Sequence, residues 1–289
     1  MSDDLIKKDI NIVNQDVGAV SQAKAGRPAQ ISVFTRRKRT FTLAFLCIAA
    51  LFVFSTAITD FDVLGGFMSI PKAVIWIANN FIPDAKALTR LPNIINKLSE
   101  TALLSVAVTV CSAVCAFFFS LLGTRITKIN PWVGRTVRII AALFRNIPDV
   151  VWAMLLLFSF GQNILTGFFA LFFYSFGTLT RTFIETIDEV SANCVEALHA
   201  TGAVYLQTVF QGVIPSSLPE IVSWVLYMIE TNIRSSTLIG VLTATGIGAL
   251  FDLYYKRLDY ASASLVVISI VVLVIVIETI SNQVRKAIM

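Results

Sequence analysis

The stretch EALHATGAVYLQTVFQGVIPSSLP, residues 196–219, is a polar, small-residue-rich interruption between two strongly apolar regions. Asn193 lies three residues before Glu196, and that spacing predicts a capping box with a carboxylate near the positive end of a helix. The predicted helix is Glu196-Ala197-Leu198-His199-Ala200-Thr201-Gly202-Ala203. Ala197, Ala200, Gly202 and Ala203 leave it thin, so another chain can approach closely. Gly202 permits a sharp change of direction. Pro215 and Pro219 are expected to break or redirect the chain beyond it. A compact helix of this kind between apolar segments reads as a docking surface, and an ordinary amphipathic loop helix is the plain alternative.

The flanking regions set the class. Of 289 residues 56% are hydrophobic and 14% charged, with a mean hydropathy of +0.78. Soluble domains carry about 45–50% apolar and about 25% charged residues, so an integral membrane protein is indicated. The formal charge of +5 reflects orientation, and no basic-aromatic pattern for nucleic acid is present. Cys47, Cys111, Cys115 and Cys194 form no disulfide framework. With His199 the only histidine, they make no metal site.

A span needs roughly 20 apolar residues. Six candidates occur, at 41–59, 101–122, 139–160, 164–180, 221–250 and 262–280, the third interrupted by Arg145 and Pro148. Basic residues at 36–39, at Arg125, Lys128, Arg135 and Arg138, at Arg181, and at Arg285 and Lys286 then fall on one side. Both termini and the 196–219 segment are thereby expected in the cytoplasm. Residues 1–35 read as a cytoplasmic tail without a cleavable signal, and 36–99 as the first span with an external loop. In that loop 75–77 and 81–83 suit an interfacial helix or a contact for an external partner. Residues 100–289 read as the core membrane domain, with a coupling loop at 190–219.

Two charge pairs lie within spans. Glu230 and Arg234 share a helix face, with Asn232 between them, on the outer half of the fifth span. They suit either the route of an anion or a structural pair. Arg145 and Asp149 flank Pro148 and suit either a pair stabilising a proline break or a gate at the inner mouth. Glu185, Asp188 and Glu189 form an acidic cluster that is either solvated or met by a partner's bases.

The 196–219 segment resembles the EAA loop of bacterial ABC-importer permeases. Glu196-Ala197-Leu198, Gly202 and Ile214-Pro215 fall on the motif, Gly212 departing from its usual apolar residue. Arg145-Asn146-Ile147-Pro148-Asp149, Glu230-Thr231-Asn232-Ile233-Arg234, Leu238-Ile239-Gly240 and Thr245-Gly246-Ile247-Gly248 are similar to segments of phosphonate-type permeases. Thr243, Ala244 and Thr245 replace part of that family's glycine run. The likeness covers roughly residues 95–289 and implies an all-α, six-span, type I (MetI-like) permease fold in a bacterial inner membrane.

What the resemblance implies about function is specific. Glu196, Ala197, Leu198, His199, Ala200, Gly202, Ala203 and Pro215 would contact an ATPase, Glu230, Asn232 and Arg234 would line the path, and Arg145, Pro148 and Asp149 would gate it. The partners would be a second permease copy, a cytoplasmic ATPase dimer and an external substrate-binding protein. No Gly-x-x-x-x-Gly-Lys-Ser/Thr loop occurs, so ATP and magnesium would sit on the ATPase. A phosphorus oxyanion is the expected cargo. A secondary transporter or channel for a small anion is the alternative, and a membrane enzyme lacks paired catalytic groups.

Overall fold

A computed structural model of the protein describes residues 33–126 and 130–288. The expected tail at 1–35 lies almost wholly outside the described residues, as does Lys128. The chain divides into two units, Met1–Ala73 and Val74–Met289. No strand occurs among the described residues.

In the first unit, α1 (Val33–Ile58) carries an apolar window of mean hydropathy 2.4, none of it buried. Its 26 residues extend about 39 Å at 1.5 Å each, enough to cross hydrocarbon of about 30 Å. Asp62 then accepts the Gly65 N–H at 2.9 Å and opens α2 (Val63–Asn80), inside which the division between units falls.

The second unit continues through α3 (Ala85–Leu88), α4 (Leu91–Gly123), α5 (Pro131–Asn146), α6 (Asp149–Phe160) and α7 (Ile164–Val190). After α8 (Ala192–Ala200), a turn at Tyr205–Gln207 and a π-helical segment Thr208–Val213 lead into α9 (Ile214–Thr243). Two helices, α10 (Gly246–Lys256) and α11 (Tyr260–Ile288), close the described chain. Helix α7 is the hub, packed by α4, α5, α6 and α9, with half of its span window buried. Residues Phe176, Leu179 and Phe183 of α7 share a core with Ala116, Ile221 and Met228.

Among the described residues five helices are long and apolar enough to span, or six when α5 and α6 count as one broken span. The expected interruption of the third span at Pro148 is a sharp one: the chain bends 89° between α5 and α6. Pro148 supplies the break, since Ile147 before it is forced extended (φ −93°, ψ 117°). Phe144 stacks on Trp152 across the bend at 5.4 Å between ring centroids, and Trp152 donates its indole N–H to the Phe144 carbonyl.

The fifth span is also shifted. It starts at Ile214 and stops at Thr243, where Ala244 turns left-handed (φ 55°). Neither proline breaks it: Pro215 occupies the first turn, where no N–H is needed, and Pro219 lies within the helix. The π-helical turn ahead of α9 is the irregularity instead.

Two glycines fix close crossings. A Cβ on Gly177 would stand 2.6 Å from the Arg145 backbone nitrogen, and one on Gly248 would stand 2.1 Å from the Thr237 carbonyl oxygen. Within the replaced glycine run, Gly240 and Gly248 still bring α9 and α10 into backbone contact.

Candidate functional site

The expected docking helix is α8, and its anchorage explains its outward face. Ser191, fully buried, accepts the start of α8 and bonds Ser216 of α9 at 2.8 Å. Val195 packs with Ile187 and Val213, and Leu121 and Ile126 cover that cluster. Gly212 is the seat: a Cβ there would lie 2.7 Å from Leu198 Cδ1, so the departure from the motif's apolar residue lets α8 rest directly on the π-helical segment.

The end of α8 follows from Gly202 at φ 80°. Its N–H donates to the His199 carbonyl at 3.0 Å, and the Ala203 N–H donates to the Leu198 carbonyl at 3.1 Å. This is the reciprocal pattern of a Schellman close. The expected change of direction is therefore present. The expected capping box is not: Ser191 caps the helix without a side-chain hydrogen bond, and Asn193 lies inside the first turn. Glu196 is exposed instead of folded back.

What remains outward is a thin, mixed surface. Glu196, Ala197, His199, Ala200 and Gly202 are exposed, while Leu198 and Ala203 are half-buried. Beside them stand the exposed apolar side chains of Val204, Tyr205, Leu206 and Phe210. Exposed Pro215 begins α9 nearby in sequence. A patch holding one carboxylate, one imidazole and several apolar groups offers contact, and no nucleophile–base pair accompanies it.

The acidic cluster before α8 is not simply solvated. Asp188 accepts the Thr124 hydroxyl, the Arg125 N–H at 2.8 Å and Arg138 at 3.4 Å. It thus ties α7 to the end of α4 and to α5. Glu185 pairs with Arg181 one turn earlier. Sequence reading missed the Asp188 junction because its partners lie 50 and more residues away.

In the span α9, Glu230 accepts from Arg234 at 3.1 Å. The Glu230 side chain is 13% exposed and that of Arg234 53%. Asn232 points elsewhere. It is fully buried and donates to Thr109 of α4 at 2.9 Å and to Ser175 of α7 at 2.8 Å. Ser105 of α4 bonds Ser236 one turn on, at 3.0 Å. The structure therefore separates the expected trio: Asn232 joins three helices, and Arg234 faces away from them.

The gate residues are also separated. Arg145 is exposed and has no ion-pair partner among the described residues, because the 89° bend destroys the i,i+4 geometry with Asp149. Asp149 accepts the Val150 N–H at 2.8 Å in the first turn of α6, and the Pro148 carbonyl accepts from Val151 and Trp152. No Arg145–Asp149 pair occurs among the described residues, and Asp149 bonds locally in the first turn of α6.

At the turn between α10 and α11, Arg90 reaches across to Asp259 and Ser262. Its guanidinium also covers Tyr254 at 4.9 Å. Burial pushes the Asp259 carboxyl up, but hydrogen bonds from Ser262 and the contact with Arg90 outweigh it and hold it below the usual carboxylate range. No group of three metal-ligating side chains occurs among the described residues.

Residues 120–288, more than half of the chain, match the family model of the binding-protein-dependent transport system inner membrane component. A Stutzerimonas stutzeri protein named as a phosphite transport system permease, HtxC, is 27% identical over 96% of this chain and 95% of its own length. PhnE2 of Escherichia coli, named as a cryptic phosphonate transport system permease, is 31% identical over 40% of this chain and 96% of its own. Among solved structures, a chain of the inward-facing methionine ABC transporter MetNI superimposes with a TM-score of 0.57 at 20% identity, over 68% of this chain and 98% of that one.

Proposed function

This chain belongs to the binding-protein-dependent transport inner membrane component family, as the multi-pass permease subunit of an ABC importer, and we propose that its cargo is a small phosphorus oxyanion of the phosphite or phosphonate class. The observation that carries the reading is Arg234, a guanidinium more than half exposed within a span, on a helix surface it shares with Glu230, Thr231 and Thr237. A charge on a span surface must meet water, protein or a counter-ion instead of hydrocarbon. An oxyanion path between two permease copies satisfies that demand, and Glu230 holds the guanidinium in place. The names of similar permeases support phosphite and phosphonate as the chemistry.

In this reading the face of α8 with Glu196, Ala197, Leu198, His199, Ala200, Gly202 and Ala203, together with Pro215, docks on a separate ATPase. That ATPase holds ATP and magnesium, since the chain carries no phosphate-binding loop. A closing ATPase moves α8, and the Val195–Val213 contact passes the movement into α9. Inner and outer openings are then favoured in alternate nucleotide states. Both termini lie on the ATPase side, an external binding protein delivers cargo to the opposite side, and Arg145, Pro148 and Asp149 border the inner mouth.

The test is ATP hydrolysis by the reconstituted complex, with its ATPase and binding protein, across phosphite, methylphosphonate, phosphate, sulfate and glycine betaine. Stimulation confined to the phosphorus oxyanions supports the reading. Stimulation by glycine betaine alone would sink it.

A further inference from the structure

The junction of α4 and α5 forms an open cavity that no step above uses. Arg125, Arg135 and Arg138 line it together with Gly123, Pro131 and Gly134. No carboxylate lines it; Arg125 and Arg138 also border the adjoining cleft, where Arg181, Glu185, Asp188 and Glu189 stand. Arg138 is committed, donating to the Gly123 carbonyl at 2.9 Å and pairing with Asp188. The guanidiniums of Arg125 and Arg135 have no carboxylate partner among the described residues. We infer that this cavity binds the phosphate of an anionic phospholipid, with Arg125 and Arg135 as its charged ligands and Arg138 as a fixed wall.

The source of the phosphate follows from α5. Its exposed face runs Trp132, Arg135, Ile139, Leu143, at successive turns, with Gly134, Val137 and Ala141 buried on the other side. Trp132 is 72% exposed, and the Arg135 guanidinium lies 5.2 Å from its ring centroid. An amphipathic helix directly after a span, led by an exposed tryptophan, rests at the headgroup boundary. A soluble anion would meet Arg135 above an apolar surface. A phosphodiester with acyl chains running along Ile139 and Leu143 meets both parts. The residues are those of the permease alone, so the inference stands apart from the nature of the cargo.

The test uses the full purified chain in nanodiscs of phosphatidylcholine with or without phosphatidylglycerol. Lipid retained after detergent extraction is counted by native mass spectrometry. The wild-type chain is expected to retain phosphatidylglycerol over phosphatidylcholine by tenfold or more. Each membrane-surface guanidinium is expected to contribute on the order of fivefold, so Arg125→Gln with Arg135→Gln should remove most of the preference. Arg135→Lys should keep part of it. Ile139→Asn should weaken lipid retention as well. Equal retention of the two lipids by wild type would overturn the inference, as would an unchanged preference in the double variant. So would displacement of phosphatidylglycerol by millimolar inorganic phosphate, which would make the cavity a soluble-anion site. Unfolding in phosphatidylcholine alone reports whether the double variant is folded. Where it is not, the wild-type preference and the Arg135→Lys variant decide.

Discussion

Glu230 and Arg234 stand one turn apart on α9, with the carboxylate largely covered and the guanidinium largely uncovered. The asymmetry sets their roles. Glu230 is held by the bundle and aims Arg234 outward, so removing either affects the other. Arg234→Ala is expected to lower oxyanion-stimulated ATP hydrolysis at least tenfold while basal hydrolysis persists. Arg234→Lys should recover part of it, because a point charge remains but the fork geometry is lost. Glu230→Gln should fall between them. Uptake into vesicles across these three variants separates a path residue from a packing pair, for which all three would assemble poorly and none would change the cargo response.

Asn232 is expected to matter for folding and not for cargo. Its amide joins Thr109 and Ser175 from two other helices in a fully buried site. Asn232→Leu strands the Ser175 hydroxyl, at about 1–3 kcal/mol, while Thr109 keeps its bond to the Ser105 carbonyl. Thermal unfolding of the detergent-solubilised protein should show the loss, with surviving protein retaining its order of cargo preference.

Much of this arrangement was legible in the residues. Apolar runs located five spans, and the residues before Gly202 located a short helix, α8, that ends there. The interruption at Pro148 was legible, but its angle was not, because composition cannot distinguish a proline that kinks a span from one that turns it by 89°. Spacing alone also grouped Asn232 with Glu230 and Arg234. An α-helix turns about 100° per residue, so i and i+4 share a face while i+2 points to the other side. The junctions at Asp188 and Arg90–Asp259 join residues far apart in sequence and leave no local pattern.

The close crossing of α9 and α10 predicts intolerance at one glycine and tolerance at another. At Gly248 a Cβ would meet the backbone of Thr237 and Val241 at 2.1 and 2.6 Å, and backbone cannot step aside. Gly248→Ala should therefore abolish or strongly reduce folded protein. At Gly66 the added Cβ would meet only Phe61 Cζ at 3.9 Å, within a helix. Gly66→Ala should be neutral or stabilising by up to about 1 kcal/mol. Size-exclusion yield and unfolding temperature check both.

The Arg90–Asp259 contact gives a pH dependence. The folded carboxyl sits below its unfolded value, so its stabilising contribution is fully present above about pH 4. The contribution fades as pH falls through the lowered folded value. Asp259→Asn should cost about 1–3 kcal/mol near neutrality, and the gap between wild type and variant should narrow in acid. Unfolding midpoints measured from pH 7 downward test the sign. A gap that widens in acid would refute it.

The proposed coupling role of α8 can be tested apart from its folding, because one face is packed and the other is bare. Ala197 and Ala200 are exposed, so enlarging them meets no part of this chain. Surface changes of that kind usually stay within about 0.5 kcal/mol. Ala197→Leu with Ala200→Leu should therefore leave the unfolding temperature of the permease nearly unchanged, yet weaken co-purification with its ATPase and uncouple cargo from hydrolysis. Gly212→Val acts from the other side. It pushes Leu198 and Cys194 off the π-helical segment, so stability and coupling should fall together. If the alanine variants lost stability as Gly212→Val does, α8 would be a packing element. If they kept both stability and full ATPase binding, the docking face would have to lie elsewhere, with the exposed Val204, Leu206 and Phe210 the next surface to probe.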